Sequence, residues 1–275
     1  MSKYFIKIFL AILITPLFLH AVVGPRLFYL GLESGPNSGG ESNRGTILPI
    51  YGMGFGATQG IGTVTVGGGA VSNYYSWSDT KIEVGIGASA ATGTVVVTDN
   101  GGLQSSTSGL SFTVRAGNIY CVSTTGLDSN PGTFAGGCWL TIRKAKNTIV
   151  AGDIAYIQDG VAQTTAETGN AALFVTTGGS SGLPKAIVAY PGATVTVGST
   201  SIIGIRTAGS TGVNADYWDF VGLRVLGAAQ AIGLSGTSIP SSDHWRIVDN
   251  YLTCPSGDGQ SACLETTLGA YIKVL

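Results

Sequence analysis

The most constraining feature of this 275-residue sequence is a repeat of 27 residues near its C-terminal end. The segment WDFVGLRVLG begins at Trp218 and WRIVDNYLTC begins at Trp245, with apolar residues in matching positions, and a further 27 residues lead to Ile272. A fixed period of roughly 20–50 residues is typical of chains that stack one structural unit on the next. The repeat therefore predicts a solenoid whose successive coils lie side by side.

The composition favours strands as the repeating element. The chain contains 43 glycines and only 11% charged residues, and glycine supplies the backbone angles of tight turns while β-branched residues suit pleated surfaces. Strand-like segments near Ile154 (IAYIQDG) and Ala186 (AIVAYPG) precede the repeat and predict earlier, longer coils. Helical bundles and coiled coils are disfavoured.

One helix is predicted, in the segment WLTIRKAKNTIVAGD that begins at Trp139. Thr141 is a candidate N-cap, and Ile142, Ala145 and Ile149 recur at spacings of three and four, which gives one apolar stripe. A β-solenoid needs a cap because its first strand edge and its apolar interior would otherwise face water. We expect this helix to be that cap.

The first half of the chain alternates apolar and polar residues with a period of two. The segments GTVTV, TKIEVGIG, GTVVVTDNGG and LSFTVR each show this alternation and are separated by turn signals, which predicts a β-sandwich. This half of the chain resembles the IPT/TIG family of immunoglobulin-like domains. The resemblance rests, in order, on the segments LESGPNSGGESNRGTILPIYGMGFG, TVTVGG, SWSDTKIEVGIG, ATGTVVVTDNGG and LSFTV. The resemblance implies a spacer or carbohydrate-side accessory module over residues 22–115, with no fixed active site.

The segment IYCVSTTGLDSNPGTFAGGCWLTIRKAKNTIVAGDIAYIQDGV resembles the N-terminal entry of right-handed parallel β-helix proteins of the pectate-lyase-like superfamily. A short strand is followed by a Gly-x-Asp-x-Asn-Pro-Gly-Thr loop, the Trp-x-Thr-Ile start of a helix, a Gly-Asp turn and the first coil. The resemblance implies an all-β chain: an Ig-like β-sandwich, then a parallel β-helix over residues 118–275 with an N-terminal capping helix. Because the chain stops inside a predicted strand at Leu275, we expect a truncated β-helix, with only the N-terminal coils of a longer solenoid.

Residues 1–21 predict export. A basic start, MSKYFIK, precedes the apolar run IFLAILITPLFL, which has the length of a signal peptide; a retained anchor is the alternative, and no other membrane span is predicted. Export of the bacterial type to the cell surface or medium permits disulfides. Sequence proximity pairs Cys121 with Cys138 and Cys254 with Cys263, while two other pairings remain open.

The charges and motifs exclude several functions. With a formal net charge of −1 and no strong Lys/Arg cluster, the chain lacks the electrostatic footprint of a nucleic-acid binder. The cysteines lack the paired spacing of a zinc site, so no metal site is predicted.

Enzymes of the resembled β-helix superfamily act on acidic polysaccharides by elimination or hydrolysis. The resemblance therefore implies a polysaccharide partner that contains uronates, and a lyase would use calcium.

Strand alternation gives the candidate site residues. If Trp218 and Trp245 point inward, then Asp219, Arg246 and Lys273 point outward at one repeated coil position and form a column. These three are the catalytic candidates, although a charge ladder that stabilises the sheet is the competing interpretation. The candidates for substrate contact are Tyr251 and Asp249.

The sequence thus predicts an exported polysaccharide-binding or polysaccharide-degrading, lyase-like β-helix protein with an Ig-like spacer. Whether it is an enzyme stays open, and a lyase or a glycoside hydrolase is expected if it is one. The alternative is a non-catalytic cell-surface adhesin or structural protein.

Overall fold

The computed structural model describes residues 24–103, 105–106, 109–207, 214–235, 243–254, 262–267 and 272–275. The predicted signal peptide lies outside these ranges. In the described ranges no helix has the length and apolar character needed to cross a membrane.

In the part of the chain that the structure describes, nine strands form the N-terminal part, called the sandwich below. Their bounds are β1 (Arg26–Leu30), β2 (Ser34–Gly35), β3 (Ile47–Met53), β4 (Thr63–Val66), β5 (Gly69–Ala70), β6 (Asn73–Trp77), β7 (Lys81–Gly85), β8 (Gly93–Thr98) and β9 (Ser111–Val114). They make two sheets, β1-β3-β7-β6 and β2-β9-β8-β4-β5. Alternate residues such as Val64, Val66, Val95 and Val97 are buried between the sheets, as the period of two predicted.

Fourteen strands in the described residues form the second part, called the solenoid below. Their bounds are β10 (Ile119–Val122), β11 (Ile154–Ile157), β12 (Ala162–Gln163), β13 (Ala171–Val175), β14 (Lys185–Ala189), β15 (Thr196–Gly198), β16 (Ile203–Thr207), β17 (Trp218–Val221), β18 (Arg224–Leu226), β19 (Ile232–Ser235), β20 (Trp245–Val248), β21 (Tyr251–Thr253), β22 (Leu264–Thr267) and β23 (Ile272–Val274). The α-helix found in the described ranges is α1 (Ile142–Thr148).

The solenoid strands belong to three sheets in which every pair is parallel. The first sheet is β10-β11-β14-β17-β20-β23, the second is β12-β15-β18-β21 and the third is β13-β16-β19-β22. Each coil contributes one strand to each sheet in turn, so the chain winds as a parallel β-helix. The predicted fold class is confirmed.

The 27-residue repeat appears directly in the strand register. Trp218 pairs with Trp245, and Trp245 pairs with Ile272. Inside the coils, the ring centroids of Trp218 and Phe220 lie 5.3 Å apart and those of Phe220 and Trp245 lie 5.0 Å apart. The indole N–H groups of Trp218 and Trp245 donate to the carbonyls of Thr177 and Ala215, so burying these rings leaves no indole donor unpaired.

The helix α1 closes the N-terminal end of this core. The Thr141 side chain accepts a hydrogen bond from the Lys144 amide at 3.0 Å, which confirms the N-cap. Ile142 and Ala145 are fully buried. The Lys146 side chain is also buried: it is 5% exposed, and its Nζ lies 2.7 Å from Glu167 Oε1.

Both predicted disulfides form in the structure. Cys121 is joined to Cys138 beside the cap, and Cys254 is joined to Cys263 between β21 and β22. The first bridge closes the loop that precedes α1. It therefore fixes that loop against the strand on which the cap rests.

Candidate functional site: the cleft between the sandwich and the first sheet

The outer face of the first sheet is covered by the sandwich. Its central outward-facing positions are apolar and fully buried, and they pack in one cluster with sandwich residues such as Leu48 and Ile82. These outward positions are Tyr156, Val188, Val221 and Val248. Burial of apolar side chains on both faces of the sheet holds the two parts of the protein together.

A fully buried tyrosine connects the two parts by hydrogen bonds. The Tyr156 hydroxyl accepts from the Ile47 amide at 2.8 Å and donates to the Ile47 carbonyl at 2.9 Å. Burial raises the pKa of Tyr156 well above its ordinary value, so the hydroxyl keeps the proton that it donates. Both main-chain groups of Ile47 therefore depend on a side chain from the solenoid.

The three catalytic candidates lie side by side, as strand alternation predicted. Asp219 pairs with Arg246, and Arg246 pairs with Lys273, on successive strands of the first sheet. We call these residues the charged row. Asp219 is 1% exposed and Arg246 is 9% exposed, while the Lys273 side chain is 52% exposed. The row thus runs from the buried interface out to its edge.

The guanidinium of Arg246 joins the row to the sandwich. Its Nη2 donates to the Leu30 carbonyl at 2.8 Å and its Nη1 donates to the Gly31 carbonyl at 3.1 Å. Its Nε lies 3.4 Å from Glu33 Oε1 and its Nη1 lies 3.5 Å from Asp219 Oδ2. Lys273 Nζ also contacts Glu33 Oε1, at 2.8 Å.

The pKa values of two carboxylates in this network are shifted in opposite directions. Burial raises the pKa of Asp219 to about 6, against the attraction of Arg246 and Arg115, while the charge of Glu33 adds to the rise. Burial also acts to raise the pKa of Glu33, but the hydrogen bond from Lys273 and the charge of Arg246 outweigh it, so the pKa of Glu33 lies below its ordinary value. Asp219 therefore takes up a proton at a higher pH than Glu33 does.

A cleft of about 560 Å³ opens beside this network. The sandwich contributes Glu33, Ser34 and Thr113, and the solenoid contributes the charged row with Tyr217 and His244. The rings of Tyr217 and His244 stack with centroids 4.4 Å apart and planes 13° apart. Both residues have positive φ, 57° and 59°, at the corner before strands β17 and β20. The cleft therefore combines an aromatic corner with polar walls.

The two candidates for substrate contact lie elsewhere. Tyr251 is on β21 of the second sheet and is 65% exposed, with the Arg224 guanidinium 5.9 Å from its ring centroid. Asp249 accepts a hydrogen bond from the Tyr51 hydroxyl at 2.7 Å and lies 3.2 Å from Lys81 Nζ. Asp249 thus makes a second polar contact between the solenoid and the sandwich, outside the cleft.

Sequence reasoning did not find the sandwich side of the cleft or the stacked pair. Glu33 stands in a turn-rich segment that carries no signal of an ion pair. A signal for Tyr217 and His244 existed, because they occupy equivalent positions directly before the repeated Trp218 and Trp245. Ring-bearing side chains at one repeat position are expected to stack on adjacent strands about 4.8 Å apart.

The residues of the cleft do not fit a calcium ion. Calcium takes six to eight oxygen ligands, commonly from several carboxylates. Glu33 and Asp219 are the carboxylates of the cleft, and both contact Arg246. Across the part of the chain that the structure describes, no group of three acidic, cysteine or histidine side chains has the arrangement of a metal site.

Residues 34–114 match the protein-family model of the IPT/TIG domain. The sandwich contains an IPT/TIG domain over these residues. No curated protein matches the chain.

Two solved structures are similar to part of this chain. A rhamnogalacturonan lyase aligns with 48% of this chain and 40% of its own length, at 20% identity and a TM-score of 0.28. The crystal structure of pectate lyase Pel9A aligns with 57% of this chain and 38% of its own length, at 20% identity and a TM-score of 0.34. The chain thus spans about two fifths of the length of each. The β-helix itself is established by the strand pairing described above.

Proposed function

We propose that the protein is exported and binds polysaccharide, without cleaving it, in the cleft between the IPT/TIG domain and the first sheet. The observation that carries the proposal is the stacked Tyr217–His244 pair beside hydroxyl and charged groups. Aromatic rings offer an apolar surface to the C–H face of a sugar, and nearby polar groups fix its orientation. Two disulfides support an oxidising, extracellular location.

The contacts of the charged row favour binding over elimination. An elimination base must accept a proton, whereas the terminal nitrogens of Arg246 donate hydrogen bonds to two main-chain carbonyls. Lys273 is paired with Glu33. In this arrangement the row connects the IPT/TIG domain to the solenoid, and catalysis by Asp219, Arg246 or Lys273 is the alternative that an activity assay tests.

Binding is tested with paired asparagine variants. Tyr217→Asn and His244→Asn remove the stacked rings while keeping a residue that tolerates positive φ. We expect the double variant to lose at least tenfold in affinity for any polysaccharide that retards the wild-type protein in affinity gels. Tyr251→Asn, on the second sheet, is the matched control and should bind as the wild type does.

The same samples are assayed for cleavage. If the wild type releases unsaturated uronate products or new reducing ends, and Asp219→Asn or Lys273→Met abolishes them, the function is catalysis and not binding alone. Unchanged affinity in the double variant would remove the cleft from the proposal. Binding to no polysaccharide would contradict the proposed function.

A further inference from the structure

Resting on the proposed polysaccharide-binding function of the cleft, we infer that its ligand is a neutral saccharide and that uronate-rich chains are excluded. The charged groups of the cleft are paired with one another, and Arg246 is also held by two main-chain carbonyls.

The formal charges that line the cleft cancel. Glu33 and Asp219 supply two carboxylates, and Arg246 and Lys273 supply two cations. Each charge has an opposite charge within 3.5 Å in this network. A cleft built for a polyanion would instead carry an excess of positive charge that attracts it from a distance.

The side chain best suited to a carboxylate is held by the sandwich. Arginine recognises carboxylates through two parallel N–H groups. In Arg246 one terminal nitrogen donates to the Leu30 carbonyl and the other to the Gly31 carbonyl. The buried Nε lies 3.4 Å from Glu33 Oε1 and has no hydrogen-bond partner among the described residues. A uronate that used both terminal nitrogens would have to displace main-chain acceptors of the sandwich.

Lys273 is exposed but forms a salt bridge with Glu33. Its Nζ lies 2.8 Å from Glu33 Oε1, and the Glu33 side chain is itself 53% exposed at the mouth of the cleft. An incoming carboxylate that approached Lys273 would meet the charge of Glu33 at the same place. Glu33 therefore repels the ligand class that Lys273 would otherwise attract.

One buried acceptor in the cleft calls for a donor. Asp219 Oδ1 is buried and accepts no hydrogen bond from any residue that the structure describes, and Asp219 lines the cleft. A buried acceptor without a partner is costly. A hydroxyl of a neutral sugar or of a uronate can donate to it, whereas a ligand carboxylate placed there would bring two acceptors together. The exposed hydroxyl-bearing residue Thr113 lines the opposite wall.

The test uses ligands that differ in charge and share their backbone. Polygalacturonate and its fully methyl-esterified form make one pair, and a glucuronan with the corresponding glucan makes another. In equilibrium binding to the whole protein we expect the neutral member of a pair to bind at least tenfold more tightly. Equal or tighter binding of the uronate overturns the inference but leaves the proposed function standing. Binding of neither member in any pair contradicts both.

One variant checks the physical reason. Glu33→Gln removes the negative charge beside Lys273 and should raise uronate affinity at least fivefold. No gain of uronate binding in a folded Glu33→Gln protein overturns the inference.

Discussion

Removing one oxygen atom tests the contact between the IPT/TIG domain and the solenoid. In Tyr156→Phe the ring and its packing remain, but the amide and carbonyl of Ile47 lose their partner at a buried site. Each buried polar group left without a hydrogen bond costs about 1–3 kcal/mol. With two such groups, we expect the free energy of unfolding to fall by about 2–6 kcal/mol.

The assay is urea unfolding at neutral pH, followed by tryptophan fluorescence and circular dichroism. Tyr251→Phe is the matched control, because its ring is 65% exposed on the second sheet; exposed substitutions of this kind change stability by less than about 0.5 kcal/mol. If Tyr156→Phe also falls within about 0.5 kcal/mol of the wild type, the hydroxyl does not bond Ile47 and the docking described here is wrong.

Two further predictions concern the charged row and the coil corner. Because the pKa of Asp219 is raised from 3.8 to about 6, the folded state holds a proton that the unfolded chain releases; this stabilisation is complete below about pH 4 and is lost as pH rises through 6. Asp219→Asn still faces Arg246, Arg115 and Glu33. We expect its free energy of unfolding to exceed that of the wild type by up to about 3 kcal/mol at pH 8 and to equal it at pH 4. Equal differences at both pH values, in thermal or urea unfolding, would contradict the raised pKa. Asn250 accepts from the Leu223 amide and donates to the Phe220 and Val248 carbonyls, so Asn250→Ala should lower the free energy of unfolding by about 1–3 kcal/mol; a change below about 0.5 kcal/mol in the same assay would show that water replaces these bonds.

The coil architecture was predictable because it follows from the 27-residue repeat and from the alternation of residues within each strand. The repeat that begins at Trp218 and Trp245 fixes which residues share a row, and alternation within WDF and WRI then places Asp219 beside Arg246. The cap was predictable for the same reason, since Thr141 and the apolar stripe of α1 are neighbours in sequence.

The docking of the IPT/TIG domain was not predicted, because it depends on contacts between residues far apart in the chain. Arg246 meets the carbonyls of Leu30 and Gly31 across 216 and 215 residues, and no local pattern specifies such a partner. A partial signal was present: strands such as Ile154–Ile157 are apolar at every position, which is typical of a sheet that is covered on both faces. An apolar strand of this kind predicts that both faces of the first sheet are buried, and therefore that its outer face is covered.

The central claim is that the IPT/TIG domain rests on the outer face of the first sheet, and zero-length cross-linking tests it most directly. A carbodiimide joins amines to carboxylates in contact, and Lys81 Nζ lies 3.2 Å from Asp249 Oδ2 while Lys273 Nζ lies 2.8 Å from Glu33 Oε1. Lys81 also lies 3.2 Å from Glu83 within the sandwich, which supplies an internal control. We predict that peptide mass spectrometry recovers the Lys81–Asp249 and Glu33–Lys273 links; the Lys81–Glu83 link without either of them would contradict the account.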